Sequence, residues 1–252
     1  MTVLLAKKFE PARHDVAGWM ASEKLDGMRA YWNGKSLETR NGKPINAPRW
    51  FTNGLPSEEL DGELWIGRGE FQHTVSICRK EMPVDSEWQE VMFKVFDAPG
   101  LAGTFKERYE AMLSMDLPSH AEVVEHTTIS GAAEVTILLR GFEALGGEGV
   151  MLRDPDSAYE RKRSSTLLKV KSFQDADATV VGYQDGEGRN VGRLGALRCK
   201  LDDGTEFRIG TGLNDSQREN PPLIGDRVTF SFFELTDAGV PRFPAFVGVR
   251  GD

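Results

Sequence analysis

Little in this chain points to a metal knuckle, a cross-linked scaffold or a membrane span. Its 252 residues hold two cysteines, Cys78 and Cys199. They lie too far apart for a C-x-x-C pair, which excludes a zinc knuckle and a disulfide framework. No apolar run approaches the ~18 residues that cross a bilayer, so no membrane partner is expected. The opening MTVLLAKKFEPARHD has only a short apolar patch, less than a signal-peptide core requires. As it stands the sequence reads as cytoplasmic; a periplasmic home would require that a leader had been removed. Cations are the minority, 31 Lys and Arg against 39 Asp and Glu, for a net charge of -8. A chain that held nucleic acid by bulk charge would be basic, so any such binding must come from a local patch. The G-x-x-x-x-G-K-[ST] pattern is missing, which leaves a P-loop unsupported. There is no internal repeat. The length and five tryptophans allow one or two domains with real cores and argue against disorder.

What is present reads first as strands. RAYW is followed by Asn33-Gly34 and KSLETR by Asn41-Gly42, a strong short-range signal for hairpins. VMFKVFDA (91–98) alternates Val91, Phe93 and Val95 with Met92, Lys94 and Phe96. TFKERYEAML (104–113) predicts a helix capped by Thr104, with Phe105, Tyr109, Met112 and Leu113 on one side. AAEVTILLRGFEAL (132–145) predicts a second helix, stopped by Gly146-Gly147. EGVMLR and LLKVK follow as strands. Near residue 172 the texture changes: SFQDADA is polar, and ATVVGY, LGALRCKL, TEFRIG and DRVTFSFFEL read as short strands between glycine turns. That pattern predicts a small β-barrel or sandwich, with domains 1–172 and 173–252.

Five short segments carry residues suited to chemistry, each with a plainer alternative. In SEKLDGMR, Lys24 is either a surface lysine beside the Asp26-Gly27 turn or a nucleophile. An amine with a reference pKa of ~10.4 attacks only when neutral, so it needs nearby cations or a dry pocket; Arg29 is one such cation. In LDGELW, Glu63 is an exposed strand residue or a ligand for a ribose hydroxyl or a metal. Phe96 in FKVFDA is a core aromatic or a platform for a purine. Glu148, after two glycines, is well placed to meet Mg²⁺. Lys169 and Lys171 in LLKVK share one strand face while Leu168 and Val170 take the other. Two like charges side by side call for an anion between them, phosphate above all.

The conjunction is more specific than its parts. K-x-D-G-x-R, D-G-E-L, a strand ending F-D, E-G-V-M-L-R and L-L-K-x-K occur in that order before a small β domain. This series resembles the covalent nucleotidyltransferases, which include ATP-dependent DNA ligases, RNA ligases and mRNA capping enzymes. SEKLDGMRAYWNGK, NAPRWFTNGLP, LDGELWIGRGEF, RSSTLLKVKSFQDADATVVGY and GVPRFPAFVGVR are most similar to the minimal bacterial E-type DNA ligases. The resemblance implies an α+β chain: an adenylation domain of antiparallel sheets with flanking helices, then a small OB-fold β-barrel. It implies a DNA ligase that uses ATP and Mg²⁺, acts on nicked double-stranded DNA and works as a monomer. Lys24 would become lysyl-AMP. Glu23, Arg29, Arg40, Glu63, Phe96, Glu148, Lys169, Lys171 and Arg250 would hold the nucleotide, with Glu63 and Glu148 the metal ligands.

Two departures from the family pattern stand out. Many relatives have a glutamate two residues before the nucleophile, where this chain has Ser22, with Glu23 next to Lys24. The closing family motif R-x-D-K is represented by Arg250-Gly251-Asp252, without its lysine, and Arg250 would orient the pyrophosphate. For DNA, Arg161, Lys162 and Arg163 in YERKRSS and Arg189 and Arg193 in GEGRNVGRLG, together with Arg40, are candidate backbone contacts; the plainer reading is a solvated face and a hairpin tip. Such contacts are indifferent to sequence and sensitive to salt. An RNA ligase, a guanylyl-transferring capping enzyme, or an OB module on an inactive adenylation-like domain are the alternatives.

Overall fold

The computed structural model of the chain describes residues 3–233, 235–236 and 238–250. It divides into two units between Lys171 and Ser172. The first unit contains β1 (Leu5–Lys8), β2 (Met20–Glu23), β3 (Met28–Trp32), β4 (Leu37–Thr39), β5 (Leu60–Trp65), β6 (Met92–Asp97), β7 (Ala121–Val123), β8 (Thr127–Thr128), β9 (Val150–Arg153) and β10 (Arg163–Val170). They form two five-stranded sheets, ordered β1-β10-β9-β2-β8 and β4-β3-β5-β6-β7. Most pairs are antiparallel, as expected, but β1–β10 and β6–β7 are parallel. The second of these follows from connectivity: the helix Phe105–Leu113 lies between β6 and β7, and a crossover returns the chain in the same direction.

The hairpin signal at Asn33-Gly34 is realised as β3–β4, with Trp32 opposite Leu37 and Ala30 opposite Thr39. After Asn41-Gly42 the chain returns through one isolated bridge, Glu38 to Pro44, rather than a further strand. Burial in β6 alternates as the sequence requires, with Phe93 and Val95 sealed and Met92, Lys94 and Phe96 half-buried. Those sealed residues join Trp32, Phe51, Leu60, Leu64 and Trp88 in one core. A second core forms where Val135 of the helix Ala132–Ala144 meets Ala21, Val150, Leu152 and Leu168.

Thr104 caps its helix through a reciprocal box with Glu107, satisfying two otherwise unpaired backbone donors. The buried stripe of this helix is Phe105, Arg108, Tyr109 and Met112, the i, i+3, i+4, i+7 spacing, and Leu113 is left 59% exposed. The sequence reading had Leu113 on that face and passed over Arg108. The arginine takes the place because its guanidinium binds Asp97.

The second unit contains β11 (Gln174–Asp185), β12 (Leu194–Lys200), β13 (Glu206–Ile209), β14 (Arg227–Phe232) and β15 (Ala245–Val249), in one antiparallel sheet ordered β13-β12-β11-β14-β15. Its core includes Val180, Leu197, Ile209, Val228, Phe230 and Phe246. Beyond the end of β13, Thr211 bridges to Ala245 of β15, the Thr211 carbonyl accepting from the Phe246 N–H at 2.8 Å. The two edges touch there without a full ladder, so the described residues do not form a closed barrel. The polar stretch SFQDADA is not an open segment either. β11 starts at Gln174, and Asp177 accepts from the Thr229 hydroxyl at 2.7 Å. Among the described residues no helix is long and apolar enough to cross a membrane.

Candidate active site

A cavity of about 260 Å³ opens between the two sheets of the first unit. Lys24 enters it directly after β2. Its backbone N–H donates to the Gly149 carbonyl at 2.9 Å, and Glu23 is in register with Val150 of β9. The glycines of K-x-D-G and E-G-V act by close approach. A side chain at Gly27 would collide with the Leu64 carbonyl, and one at Gly149 with the Val170 carbonyl. Each lets a loop press against a strand, which holds Lys24 where the sheets face one another.

The Lys24 ammonium donates to Oε2 of Glu148, whose Oε1 accepts from Lys171 at 3.0 Å. One carboxylate therefore bridges two of the amines singled out from the sequence. Lys169 lines the cavity on the same strand edge. Burial holds its ammonium below the usual range, and Lys171, Lys24 and Arg163 push the same way.

On the facing sheet, Arg29 lies opposite Glu63 in the β3–β5 register. Arg29 forms a double hydrogen bond with the buried Asp61, at 2.9 and 2.6 Å, and its guanidinium lies 5.2 Å from the centre of the Phe96 ring. The Tyr159 hydroxyl donates to Asp61 at 2.5 Å and accepts from the Leu4 N–H at 3.2 Å. Burial pushes Glu63 up to about 8, against the pull of Lys24 and Arg29. Deeper still, Asp97 binds Arg108 at 2.7 and 3.0 Å and Arg153 at 3.0 Å.

The lining holds six cations, Lys24, Arg29, Arg40, Arg153, Arg163 and Lys169, against four carboxylates. On a chain with a net charge of -8, that is a local positive field suited to phosphate. Cavity walls from Phe96, Phe105 and Met151 supply apolar surface for a flat ring. The chemistry available is attack by an amine on a phosphorus centre, with cations to hold the oxygens.

The predicted residues divide by location. Lys24, Glu23, Arg29, Arg40, Glu63, Phe96, Lys169 and Arg163 line the cavity, Glu148 joins it through Lys24, and Lys171 is joined to Glu148 in turn. The Glu23 carboxylate is held by Arg68, at 2.7 and 2.8 Å. Arg161 binds the Tyr31 hydroxyl and Glu59, both at 2.9 Å, and Lys162 pairs with Glu160 at 2.7 Å. Arg189, Arg193 and Arg250 belong to the second unit. Arg193 bonds Asn190 and Asp215, at 3.1 Å each, Arg250 pairs with Asp177, and Arg189 is exposed. Gly251 and Asp252, the remainder of the closing motif, lie outside the described residues. Sequence reasoning passed over Asp61, Tyr159, Asp97, Arg153 and His126. Asp61 sat in view inside D-G-E-L, and Asp97 in F-D; nothing in the sequence marks His126.

Two family models match this chain. The one described as ATP dependent DNA ligase domain covers residues 4–171, and the one described as DNA ligase OB-like domain covers 185–250. A DNA ligase of Haemophilus influenzae is 39% identical over 235 residues, 92% of this chain and 86% of that one. A solved structure from a study of Lig E DNA ligases aligns with a TM-score of 0.94 at 38% identity, covering 99% of each chain. The Chlorella virus DNA ligase–adenylate structure aligns with a TM-score of 0.58 at 28% identity, over 100% of this chain and 98% of that one.

Proposed function

The chain belongs to the ATP-dependent DNA ligases, and from that premise we propose that it seals 5′-phosphate/3′-hydroxyl nicks in duplex DNA through Lys24. The observation that carries the reading is the placement of Lys24: it stands in the inter-sheet cavity, hydrogen-bonded to Glu148, within a lining richer in cations than in carboxylates. The amine gives up a proton and attacks the α-phosphorus of ATP. A P–N bond forms, the bond to the pyrophosphate oxygen breaks, and pyrophosphate leaves. An oxygen of the 5′-phosphate at the nick then attacks the same phosphorus and releases Lys24. Finally the 3′-hydroxyl attacks the 5′-phosphate, and AMP departs as the phosphodiester forms.

Each role falls to a residue with the matching chemistry. Lys169 and Arg163 hold the transferred phosphate, where their mutual repulsion is relieved by its charge. Phe96 stacks on the base. Glu63, which burial pushes up to about 8 and which a bound Mg²⁺ would return to the carboxylate form, accepts from a ribose hydroxyl or holds the metal. Arg29 is fixed toward the nucleotide by Asp61, which Tyr159 in turn orients.

Among the described residues no group of three or more His, Cys, Asp or Glu could hold a metal ion by itself. Glu148 and Glu63 together fit Mg²⁺, which takes one or two carboxylates and completes its shell with phosphate oxygens and water. When bound it would neutralise phosphate charge. The protein acts as a monomer on nicked duplex DNA, with Lys162 and Arg189 among the exposed cations available to the backbone.

The test is mass spectrometry after incubation with ATP and Mg²⁺, followed by addition of a nicked duplex. The expected result is a gain of one adenylate on the intact protein and sealing of the nick. Lys24→Ala should abolish the adduct while leaving the melting temperature unchanged. An adduct that persists in folded Lys24→Ala would overturn the assignment.

A further inference from the structure

One edge of the cavity carries an ion pair that the reaction described above does not use. Glu23 lines the cavity and is the last residue of β2, directly before Lys24. Its two carboxylate oxygens accept from Nε and Nη2 of Arg68 at 2.7 and 2.8 Å. Arg68 stands outside the lining, in the turn between β5 and the helix Phe71–Cys78. The next residue, Gly69, has a φ of +78°, a backbone conformation that favours glycine. β2 and β5 belong to the two facing sheets, so the pair ties one sheet to the other where Lys24 leaves its strand. A guanidinium that engages both oxygens fixes direction as well as distance.

The pair is seated on a third segment. A side chain added at Gly147 would bring its Cβ within 2.8 Å of Glu23 Oε1 and 2.9 Å of the Phe142 carbonyl, and one at Gly146 would lie 3.9 Å from Arg68 Cβ. Gly147 directly precedes Glu148, whose carboxylate bonds the Lys24 ammonium, and Gly149 accepts from the Lys24 N–H. The Glu23 carboxylate therefore lies against the turn that anchors Lys24 by both side chain and backbone. Charge adds a second consequence. An unpaired carboxylate on this wall would repel the phosphates the cavity is suited to hold. Lys94 also feels the Glu23 charge, but its ammonium bonds Glu122. Among the described residues Arg68 is the cation hydrogen-bonded to Glu23.

We propose that Arg68 is a positioning residue for lysyl-AMP formation. Through Glu23 it fixes the end of β2, and with it the line along which the Lys24 amine approaches phosphorus, and it cancels a carboxylate charge that would oppose ATP. The proposal rests on Lys24 being the nucleophile. It gives Glu23 a role other than contact with the nucleotide.

The experiment follows lysyl-AMP formation by mass over a range of ATP concentrations, in the unmodified protein, Glu23→Gln, Arg68→Gln and the double variant. Glu23→Gln keeps the shape and loses the charged fork. Its maximal rate should fall about 10-fold or more, while the ATP concentration giving half that rate stays within about 3-fold of the parent. Arg68→Gln should lose as much rate and, with Glu23 left bare, need about 3–10-fold more ATP. In the double variant the ATP requirement should return toward that of the parent, and the rate should match Glu23→Gln within about 2-fold. A maximal rate in Glu23→Gln equal to the parent's would overturn the proposal and leave Lys24 standing. A raised ATP requirement with an intact rate would make Glu23 a nucleotide contact instead, and losses that multiply in the double variant would make the two residues independent. Either result sinks the strap. Arg68 is the more exposed of the two, its side chain 35% open against 15%, so Arg68→Gln settles the question by its own maximal rate if Glu23→Gln does not fold. Failure of the unmodified protein to take adenylate would instead overturn the reading of Lys24.

Discussion

Two carboxylates in the first unit each bridge two cations, and they behave as opposites. Asp97 meets Arg108 and Arg153, whose side chains are 1% and 4% exposed. Glu148 meets Lys24 and Lys171, whose side chains are 22% and 16% exposed. At Asp97 the guanidinium of Arg108 engages both oxygens in a planar fork, which fixes direction as well as distance. At Glu148 each lysine is a compact charge on a flexible stem, bound to one oxygen. The arginine cluster joins β6, β9 and the helix Phe105–Leu113 and cannot be exchanged without opening the core. The lysine cluster sits at the water-accessible side, where a phosphate can compete for both amines. On the proposed reading, the same charge arrangement serves architecture when built from buried arginines and turnover when built from half-buried lysines.

Asp97→Asn should produce the largest effect on the fold. It leaves two arginines buried with their countercharge gone, a loss of about 3–5 kcal/mol, to be read as a lower urea midpoint. A variant that unfolds like the parent would break the contrast, because Asp97 would then be as replaceable as Glu148. Glu148→Gln should move in the other direction. The loss of stability should stay below about 1 kcal/mol, since both lysines reach water. The rate of lysyl-AMP formation should fall about 10²–10³-fold. A large drop in melting temperature with an intact rate would reverse the roles assigned to the two clusters.

The lysine cluster was legible in the sequence and the arginine cluster was not. Lys24, Glu148, Lys169 and Lys171 sit in short runs whose spacing sets their direction: two lysines two apart on a strand must share a face. Asp97, Arg108 and Arg153 come from three distant segments, and only the packing of β6, β9 and a helix brings them together. Sequence periodicity also treats any arginine as a surface residue, which is why the helix stripe reads from sequence with Leu113 and without Arg108. Strand alternation in β6 and the Thr104 cap were readable because they depend on neighbours within a few residues. The parallel partnership of β1 with β10 and the incomplete closure of the second sheet depend on pairings across more than thirty residues, and no local signal encodes them. His126 shows the limit most clearly. A lone histidine between two short strands carries no motif, and its chemistry comes from the Val124 carbonyl that fixes its tautomer and from Phe105 beside it.

The smallest expected effect concerns the coupling of that histidine to the fold. Burial holds His126 down to about 4 from 6.5; the Val124 carbonyl and Asp97 pull upward, and Arg153 pushes down. Because the folded-state value is depressed, the unfolded chain binds an extra proton between about pH 4 and 6.5, so stability falls as the pH drops through that window. Above 6.5 neither state is charged there and the contribution is fully present. In urea unfolding at about pH 7 and about pH 4.5, the parent should lose about 1–2 kcal/mol more than His126→Gln, the half-buried ring being partly relieved by water in the cavity. The difference sharpens the contrast between the clusters, since protonated His126 would repel Arg153 at the buried end and leave the Lys24–Glu148–Lys171 end untouched. Parallel pH profiles for parent and variant would show that the ring is already solvated in the folded chain.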